Sequence, residues 1–338
     1  PGPTGSLAWE TTLDAAVEVP PTVGPANVYV STADERIHAL DRTTGERQWA
    51  VELSSVDDAY ASLPIAVGGG RMYTTGLNPG THAYDAGSGE QVWTSEFSSR
   101  HAPLFESGYL YGALFFGIPT PLVARNAETG ELAWKQQVDG PTMHQPTIHE
   151  NTLYASVFRA EDTNVKKSAV HAIDLVSGDE RWSTRLDDGR YVSSPAVDGD
   201  GVYVADAETD TGAVRALSRE GGESVWRKTF TAVQKSGDVD PVAADGRVYV
   251  PGRRLLALDA ATGEVVWSND DSRVRFATSV ERDGDRLLVT TDTLVTVDPA
   301  SGKIVEAVDT PDGIRNAVAG PDRVFGSDDS GRVVGVWR

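Results

Sequence analysis

One short pattern returns along this chain at nearly even spacing, and it limits what the chain can fold into more than any other feature. An Ala-x-Asp triplet is followed by a tight turn ending in Gly, then by Trp four residues after the Gly. It reads Ala39, Asp41, Gly45, Trp49; Ala83, Asp85, Gly89, Trp93; and Ala124, Asn126, Gly130, Trp134. It continues as Ala172, Asp174, Gly178, Trp182; Ala216, Ser218, Gly222, Trp226; and Ala257, Asp259, Gly263, Trp267. A seventh copy decays to Thr296, Asp298, Gly302, with Glu306 in the Trp position. Repetition of this kind sets the architecture ahead of local propensity, because a single repeat cannot bury its apolar face alone.

Successive Trp positions lie 39 to 48 residues apart, the length of one four-stranded propeller blade and a poor match to helical solenoids. Within a period the runs Asn27–Ser31, Arg36–Asp41 and Gln48–Leu53 carry strand-type residues bounded by Gly, Asp and Pro, and helical periodicity is absent. The turn glycine supplies the positive φ of a tight hairpin, and the Asp can accept hydrogen bonds from the turn amides. The Trp is expected to lie across the Gly and the small Ala of a neighbouring blade. The chain opens with Thr4, Gly5 and Trp9, the second half of the motif, and closes with the strand Gly331–Arg338, the first half. Pairing Ser6–Leu13 beside Val333–Trp337 would remove the open sheet edges. The expectation is an all-β, eight-bladed β-propeller of four-stranded antiparallel blades. It forms a single domain over residues 1–338, its last blade closed by residues 1–13 with 317–338.

Composition excludes several function classes. The 338 residues include no Cys, so disulfides and cysteine-ligated metal sites are ruled out. No run approaches the roughly 20 apolar residues that span a bilayer as a helix. The formal charge is −20, with 31 Asp among 50 acids and only six Lys among 30 basic residues. That bias resembles haloarchaeal proteins, since molar salt shortens the Debye length to ~3 Å and screens the self-repulsion. The same charge disfavours nucleic acid and anionic membranes as partners. The histidines at 38, 82, 101, 144, 149 and 171 lack metalloprotease spacing, and no Gly-x-Ser-x-Gly or phosphate loop occurs. His38, His82 and His171 fall on or beside one repeated strand and read as packing or surface groups.

At the repeated motif the sequence resembles the pyrroloquinoline-quinone (PQQ)-type β-propeller family, whose tryptophan-docking motif is Ala-x-Asp-x-x-Thr-Gly-x-x-x-Trp. Ala39 to Trp49 and Ala257 to Trp267 match it in full, and the resemblance covers essentially the entire chain. It implies fold more than function, because the repeat serves quinoprotein dehydrogenases, outer-membrane assembly lipoproteins of the BamB type and sensor ectodomains. The dehydrogenase branch implies PQQ and calcium in the central funnel. Calcium wants six to eight oxygens, and no Asp-x-Asp-x-Asp cluster supplies them, so no cofactor is expected. The pair Asp238 and Asp240 is the only local hint. The BamB branch implies a lipid anchor on a Cys that would precede Pro1, and an extracytoplasmic location.

Two candidate sites follow from the loops. Pro64, Pro103, Pro146, Pro195 and Pro241 are expected to mark entry to successive innermost strands, so the residues around these points should line the channel mouth. They are Arg100, His101, His144, Gln145, Tyr191, Asp238 and Asp240, with Arg275, Arg315 and Asn316 in the last blades. This mixed ring would suit a polar or zwitterionic small ligand. Separately, the apolar run Tyr109–Pro121 and the extension Phe158–Lys167 are expected between the second and third strands of adjacent blades. They would bring Phe115, Phe116, Ile118, Pro119, Pro121 and Phe158 together as a protein-contact surface. The sequence therefore points to a monomeric, non-enzymatic scaffold for a protein or small polar ligand, with a PQQ- or metal-dependent oxidoreductase as the alternative.

Overall fold

Each repeat folds as four antiparallel strands because its β-type runs are short, alternate in polarity and are separated by turn residues that permit positive φ. The computed structural model describes residues 5–53, 64–75, 80–96, 98–99, 101–114, 120–142, 144–161, 165–186, 192–199, 201–208, 211–231, 240–277, 279–291, 294–308, 314 and 316–337.

Strand β1 is Leu7–Thr12. Blade 1 holds Thr22–Val23, Asn27–Thr32, Arg36–Asp41 and Arg47–Glu52 (β2 to β5). Blade 2 holds Ile65–Gly68, Arg71–Thr75, Thr81–Asp85 and Gln91–Ser95 (β6 to β9). Blade 3 holds Leu104–Glu106, Tyr109–Ala113, Thr120–Asn126 and Leu132–Val138 (β10 to β13). Blade 4 holds Thr147–His149, Thr152–Glu161, Val165–Asp174 and Glu180–Leu186 (β14 to β17). Blade 5 holds Ala196–Asp198, Gly201–Glu208, Thr211–Ser218 and Ser224–Thr231 (β18 to β21). Blade 6 holds Val242–Ala244, Arg247–Val250, Leu255–Asp259 and Val265–Asn269 (β22 to β25). Blade 7 holds Ser279–Asp283, Arg286–Thr290, Leu294–Val297 and Ile304–Val308 (β26 to β29). Asn316–Ala319, Arg323–Ser327 and Arg332–Trp337 (β30 to β32) pair with β1 as blade 8, in the order β1-β32-β31-β30.

The ring closes where the two ends meet. Leu7 faces Val336 and Thr12 faces Arg332 across the β1–β32 ladder. Gly5 N–H donates to Trp337 O at 2.8 Å and Trp337 N–H donates to Ser6 O at 3.0 Å. The same two bonds close the unbroken turn of blade 1, from Gly45 N–H to Asp41 O and from Asp41 N–H to Glu46 O, each 2.8 Å. A turn split between two chain ends thus keeps the geometry of a continuous one, and the two edges it joins are no longer free to pair elsewhere.

Every seam between consecutive blades has its own buried apolar cluster, from the one joining blades 8 and 1 around Trp9, Val28 and Phe325 to the one joining 7 and 8 around Leu288, Ile314 and Val336. At seven seams a tryptophan of the outermost strand crosses to the turn glycine of the next blade. A Cβ built on Gly45, Gly89, Gly130, Gly178, Gly222, Gly263 or Gly302 would stand 2.4 to 2.9 Å from the ring of Trp9, Trp49, Trp93, Trp134, Trp182, Trp226 or Trp267. Those glycines also take φ from +69° to +77°, so both the ring and the backbone require Gly there. Each indole N–H donates to the carbonyl that follows the next blade's Asp position: Trp93 to Ala127 at 3.1 Å and Trp226 to Ala260 at 2.9 Å, for example. The motif's Ala is placed differently from expectation. Ala39 faces Trp49, and Ala257 faces Trp267, across the ladder of their own blade. The small side chain makes room within the blade, while the glycine makes room between blades.

The Asp of the motif folds the turn as expected. Asp41 Oδ1 accepts from the N–H groups of Thr43 and Thr44 at 2.8 Å each, and Asp174 Oδ1 accepts from Val176 and Ser177 at 3.0 and 2.9 Å. Asn126 makes the same pair of bonds, so the acceptor oxygen matters and its charge does not.

Candidate functional site

Alternation of the strands separates two faces. Connections from one blade to the next share a face with the hairpins joining the second and third strands of each blade, here the loop face. The opposite face carries the inner hairpins, between first and second strands, and the motif turns. Pro64, Pro103, Pro146, Pro195 and Pro241 each stand immediately before an innermost strand, at Ile65, Leu104, Thr147, Ala196 and Val242. Proline ends the connection there because it cannot donate to a ladder.

On the loop face two described members of the expected mouth, Gln145 and Asp240, join neighbouring connections to each other. Gln145 Nε2 donates to Ala102 O at 3.4 Å, from the connection entering blade 4 to the one entering blade 3. Asp240 is exposed and accepts from Ser194 N–H at 2.8 Å and Ser194 Oγ at 3.1 Å, joining the entries to blades 6 and 5. His101 is half-buried, its carbonyl accepting from Thr75 Oγ1 at 3.0 Å. His144 is half-buried in the entry to blade 4. Arg275 is exposed, with Nε donating to Asp270 O at 2.7 Å. Arg100, Tyr191, Asp238 and Arg315 lie outside the described residues, as does the side chain of Asn316.

The expected apolar surface is partly corrected. Pro121 is buried inside β12, facing Gln137 of β13, so it belongs to the sheet and not to an exposed cluster. Phe158 is half-buried on β15, and its N–H donates to Pro141 O at 2.9 Å. Phe115, Phe116, Ile118 and Pro119 lie outside the described residues. The extension in blade 4 is not a loose loop: β15 and β16 stay paired to Glu161 opposite Val165, seven positions beyond Tyr154. In blade 1 the equivalent pairing ends at Thr32 opposite Arg36, three positions beyond Tyr29. Four extra residue pairs at the strand rise lift the blade 4 hairpin by ~13 Å above its counterpart. The bridge between Thr142 and Val157 holds its base against the connection from blade 3.

The three histidines on the third strands are packing groups. His38, His82 and His171 are buried, paired respectively with Thr32 at 3.2 Å, Gln91 at 3.0 Å and Glu180 at 2.7 Å. Burial pushes the His38 and His82 imidazoles below their ordinary range.

The opposite face holds a feature that motif reading missed. A cavity of about 770 Å³ opens between the inner hairpins of blades 7, 8, 1 and 2. Val23, Pro25, Val67 and Pro321 give it an apolar lining, and Glu281, Asp283, Arg282 and Arg42 line it as well. Glu281 is on the innermost strand of blade 7, facing Leu288 across the ladder. The same register position is Thr22, Ala66, Leu104, Thr147, Ala196, Val242 or Val318 in the other blades. Burial raises its carboxyl above the usual carboxylate range, the N–H of Ala319 in blade 8 acts in the opposite direction, and Asp283 adds to the rise. The signal was available: once the decayed seventh repeat is aligned, one position carries a carboxylate where the others carry Thr or apolar residues.

A ring of eight four-stranded sheets, fastened by indoles resting on turn glycines, defines a propeller of the PQQ-type repeat class. Residues 2–62, 81–209 and 210–336 match the family described as outer membrane protein assembly factor BamB, and the chain belongs to that family. BamB of Yersinia pestis is 26% identical over 190 residues, covering 51% of this chain and 46% of that protein. The chain spans less than half the length of the BamB relatives it matches in sequence. Among solved structures, BamB from Moraxella catarrhalis superposes with a TM-score of 0.70 at 14% identity, covering 98% of this chain and 99% of that one. Quinohemoprotein alcohol dehydrogenase from Comamonas testosteroni gives 0.70 at 17% identity, covering 98% of this chain and 76% of that one. Identities this low establish the fold alone. Among the described residues no group of three or more His, Asp or Glu side chains converges as a metal site.

Proposed function

We propose that this chain is a non-enzymatic propeller scaffold that binds a protein partner on its loop face, outside the cytoplasmic membrane. The observation that carries the reading is the blade 4 hairpin, which rises ~13 Å above the blade 1 hairpin while remaining paired along its length. A paired projection beside a ring of connections is a shape for engaging another macromolecule. Membership in the BamB family supports a scaffold role and an extracytoplasmic location.

The contact residues in this reading are Phe158 with Phe115, Phe116, Ile118 and Pro119. The ring of connections around His101, His144, Gln145, Asp240 and Arg275 offers the partner, or a small polar ligand, a mixed-charge rim. The closed ring leaves no incomplete blade for a second copy to fill, which supports a monomer. The Asp-rich charge of −20 suits a halophilic, archaeal setting.

The test is affinity capture at molar salt, comparing wild type with a Phe115→Asp, Phe116→Asp double variant. Loss of a specific co-purifying protein from the variant supports the surface. Equal recovery removes it. A quinone absorbance band or stoichiometric calcium in the purified protein would instead replace the scaffold reading with an oxidoreductase.

A further inference from the structure

We propose that the cavity between the inner hairpins of blades 7, 8, 1 and 2 binds a small organic cation, an ammonium group on an apolar stem, with Glu281 as its counter-ion. The site lies on the face opposite the proposed partner surface, so its fate is independent of that reading.

The argument begins with charge. A carboxylate taken largely out of water loses solvation that a nearby cation would restore. Glu281 is half-buried in the cavity lining, burial raises its carboxyl above the ordinary range, and its described hydrogen bond is to the neutral Ala319 N–H. The two arginines that line the cavity have partners other than Glu281. Arg282 Nη2 and Nε lie 2.6 and 3.0 Å from Asp245 Oδ2 in blade 6, and its Nη1 donates to Arg286 O at 3.0 Å. Arg42 Nη1 donates to Gly24 O at 3.3 Å, with Nε 4.0 Å from Asp322. Strand alternation explains the split: Arg282 turns toward blade 6 with Val280, whereas Glu281 and Asp283 turn the other way, toward blade 8.

Shape and placement agree with the charge. About 770 Å³ is in the range of small-molecule sites. Val23, Val67, Pro25 and Pro321 can cover an alkyl stem while the ammonium end meets Glu281, with Asp283 adding negative potential. Glycines 68 and 320 keep the hairpins thin by lying on the rings of Phe105 and Phe325, where a Cβ would stand 2.1 and 2.5 Å away. An anion or a neutral alcohol of the same length has the walls but not the counter-charge.

The test compares melting of the full chain in equal concentrations of hexylammonium chloride, hexanol and sodium hexanoate, with potassium chloride as the ionic baseline. Hexylammonium at ten times its dissociation constant should raise the melting temperature by about 2 °C. The other two should match the baseline. Glu281→Gln keeps an acceptor for Ala319 N–H and should lose the rise, with affinity reduced tenfold or more. Glu128→Gln, which removes an exposed turn carboxylate, should keep it. An equal rise with hexanol or hexanoate, a retained rise in Glu281→Gln, or equal loss in Glu128→Gln would overturn the proposal, the last by showing nonspecific screening of the net charge. If Glu281→Gln fails to fold, carbon NMR of the wild-type Glu281 carboxyl decides. Its titration midpoint should move down when hexylammonium is present, and an unmoved midpoint would overturn the site.

Discussion

The seam between blades 6 and 7 and the seam between blades 7 and 8 perform the same task with different parts. At the first, Trp267 rests on Gly302 and donates to Pro299 O at 2.9 Å, and Tyr249 of its own blade stands 6.0 Å away, centroid to centroid. At the second, Glu306 replaces the tryptophan and Leu288 stands at the tyrosine position. The glycine it should cover is Gly5, which has φ +78° and nothing within 4 Å of an added Cβ. What holds the second seam is its apolar cluster and the reach of Ala319 N–H to Glu281. The comparison teaches that the indole is one of several ways to fasten a seam, and that an apolar cluster spans the seam that lacks one.

The largest expected difference comes from removing the lock itself. Trp226→Ala should lower the unfolding free energy by about 3 kcal/mol, because a half-buried ring and its hydrogen bond to Ala260 are lost together. Glu306→Ala should change it by no more than about 0.5 kcal/mol. Denaturant unfolding at fixed salt measures both, and equal losses would mean the indoles are not what distinguishes the seams. A finer cut uses two glycines of similar φ. Gly263→Ala meets the Trp226 ring at 2.6 Å and should cost about 3 kcal/mol, whereas Gly5→Ala meets nothing and should cost about 1 kcal/mol from backbone strain alone.

Smaller again is the tyrosine. Tyr203 Oη donates to Ala260 O at 3.3 Å, the same carbonyl that accepts from Trp226. Tyr203→Phe should cost about 1 kcal/mol, and less in a Trp226→Ala background if the two donors act as one unit. No such effect is expected at Leu288.

Acid should act on the motif turns with a defined sign. Backbone amides and, at Asp174, Arg181 hold the carboxyls of Asp41, Asp85 and Asp174 below the ordinary range, Asp174 at about 2. Depressed folded-state values mean stability that is present above about pH 4 and lost as pH falls toward 2. Buried His38 and His82 are also depressed, so a shallower loss begins below about pH 6.5, where the unfolded chain takes up protons first. Asp174→Asn, a residue the third repeat already carries at Asn126, should keep the turn and flatten the lower slope in melts recorded across pH. An unchanged slope would remove Asp174 from the account.

Much of this was legible in the chain. The glycine and tryptophan spacing states the number of blades, the Asp marks the turn, and the prolines mark entry to the innermost strands. Pro121 was misplaced because a proline in an apolar run reads as loop, whereas strand β12 accepts it at a buried position beside Gln137. The motif's Ala was assigned to the wrong partner because spacing along a chain does not say whether a close approach is within a sheet or between sheets. Glu281 was overlooked because it sits in no motif, and its burial depends on blade 8, which the turn motif does not mark.

By itself the sequence determined the repeat unit, its period and the need for a ring, since each unit leaves apolar faces that only another unit can cover. The tertiary structure alone decided where those faces become unequal. The depth of a cavity, the commitment of Arg282 to Asp245 and the height of the blade 4 hairpin are set by which blades become neighbours and how long their ladders run. Local pattern fixes the strands because hydrogen bonding and side-chain alternation are short-ranged. Desolvation and charge balance arise only when segments distant in the chain exclude water together.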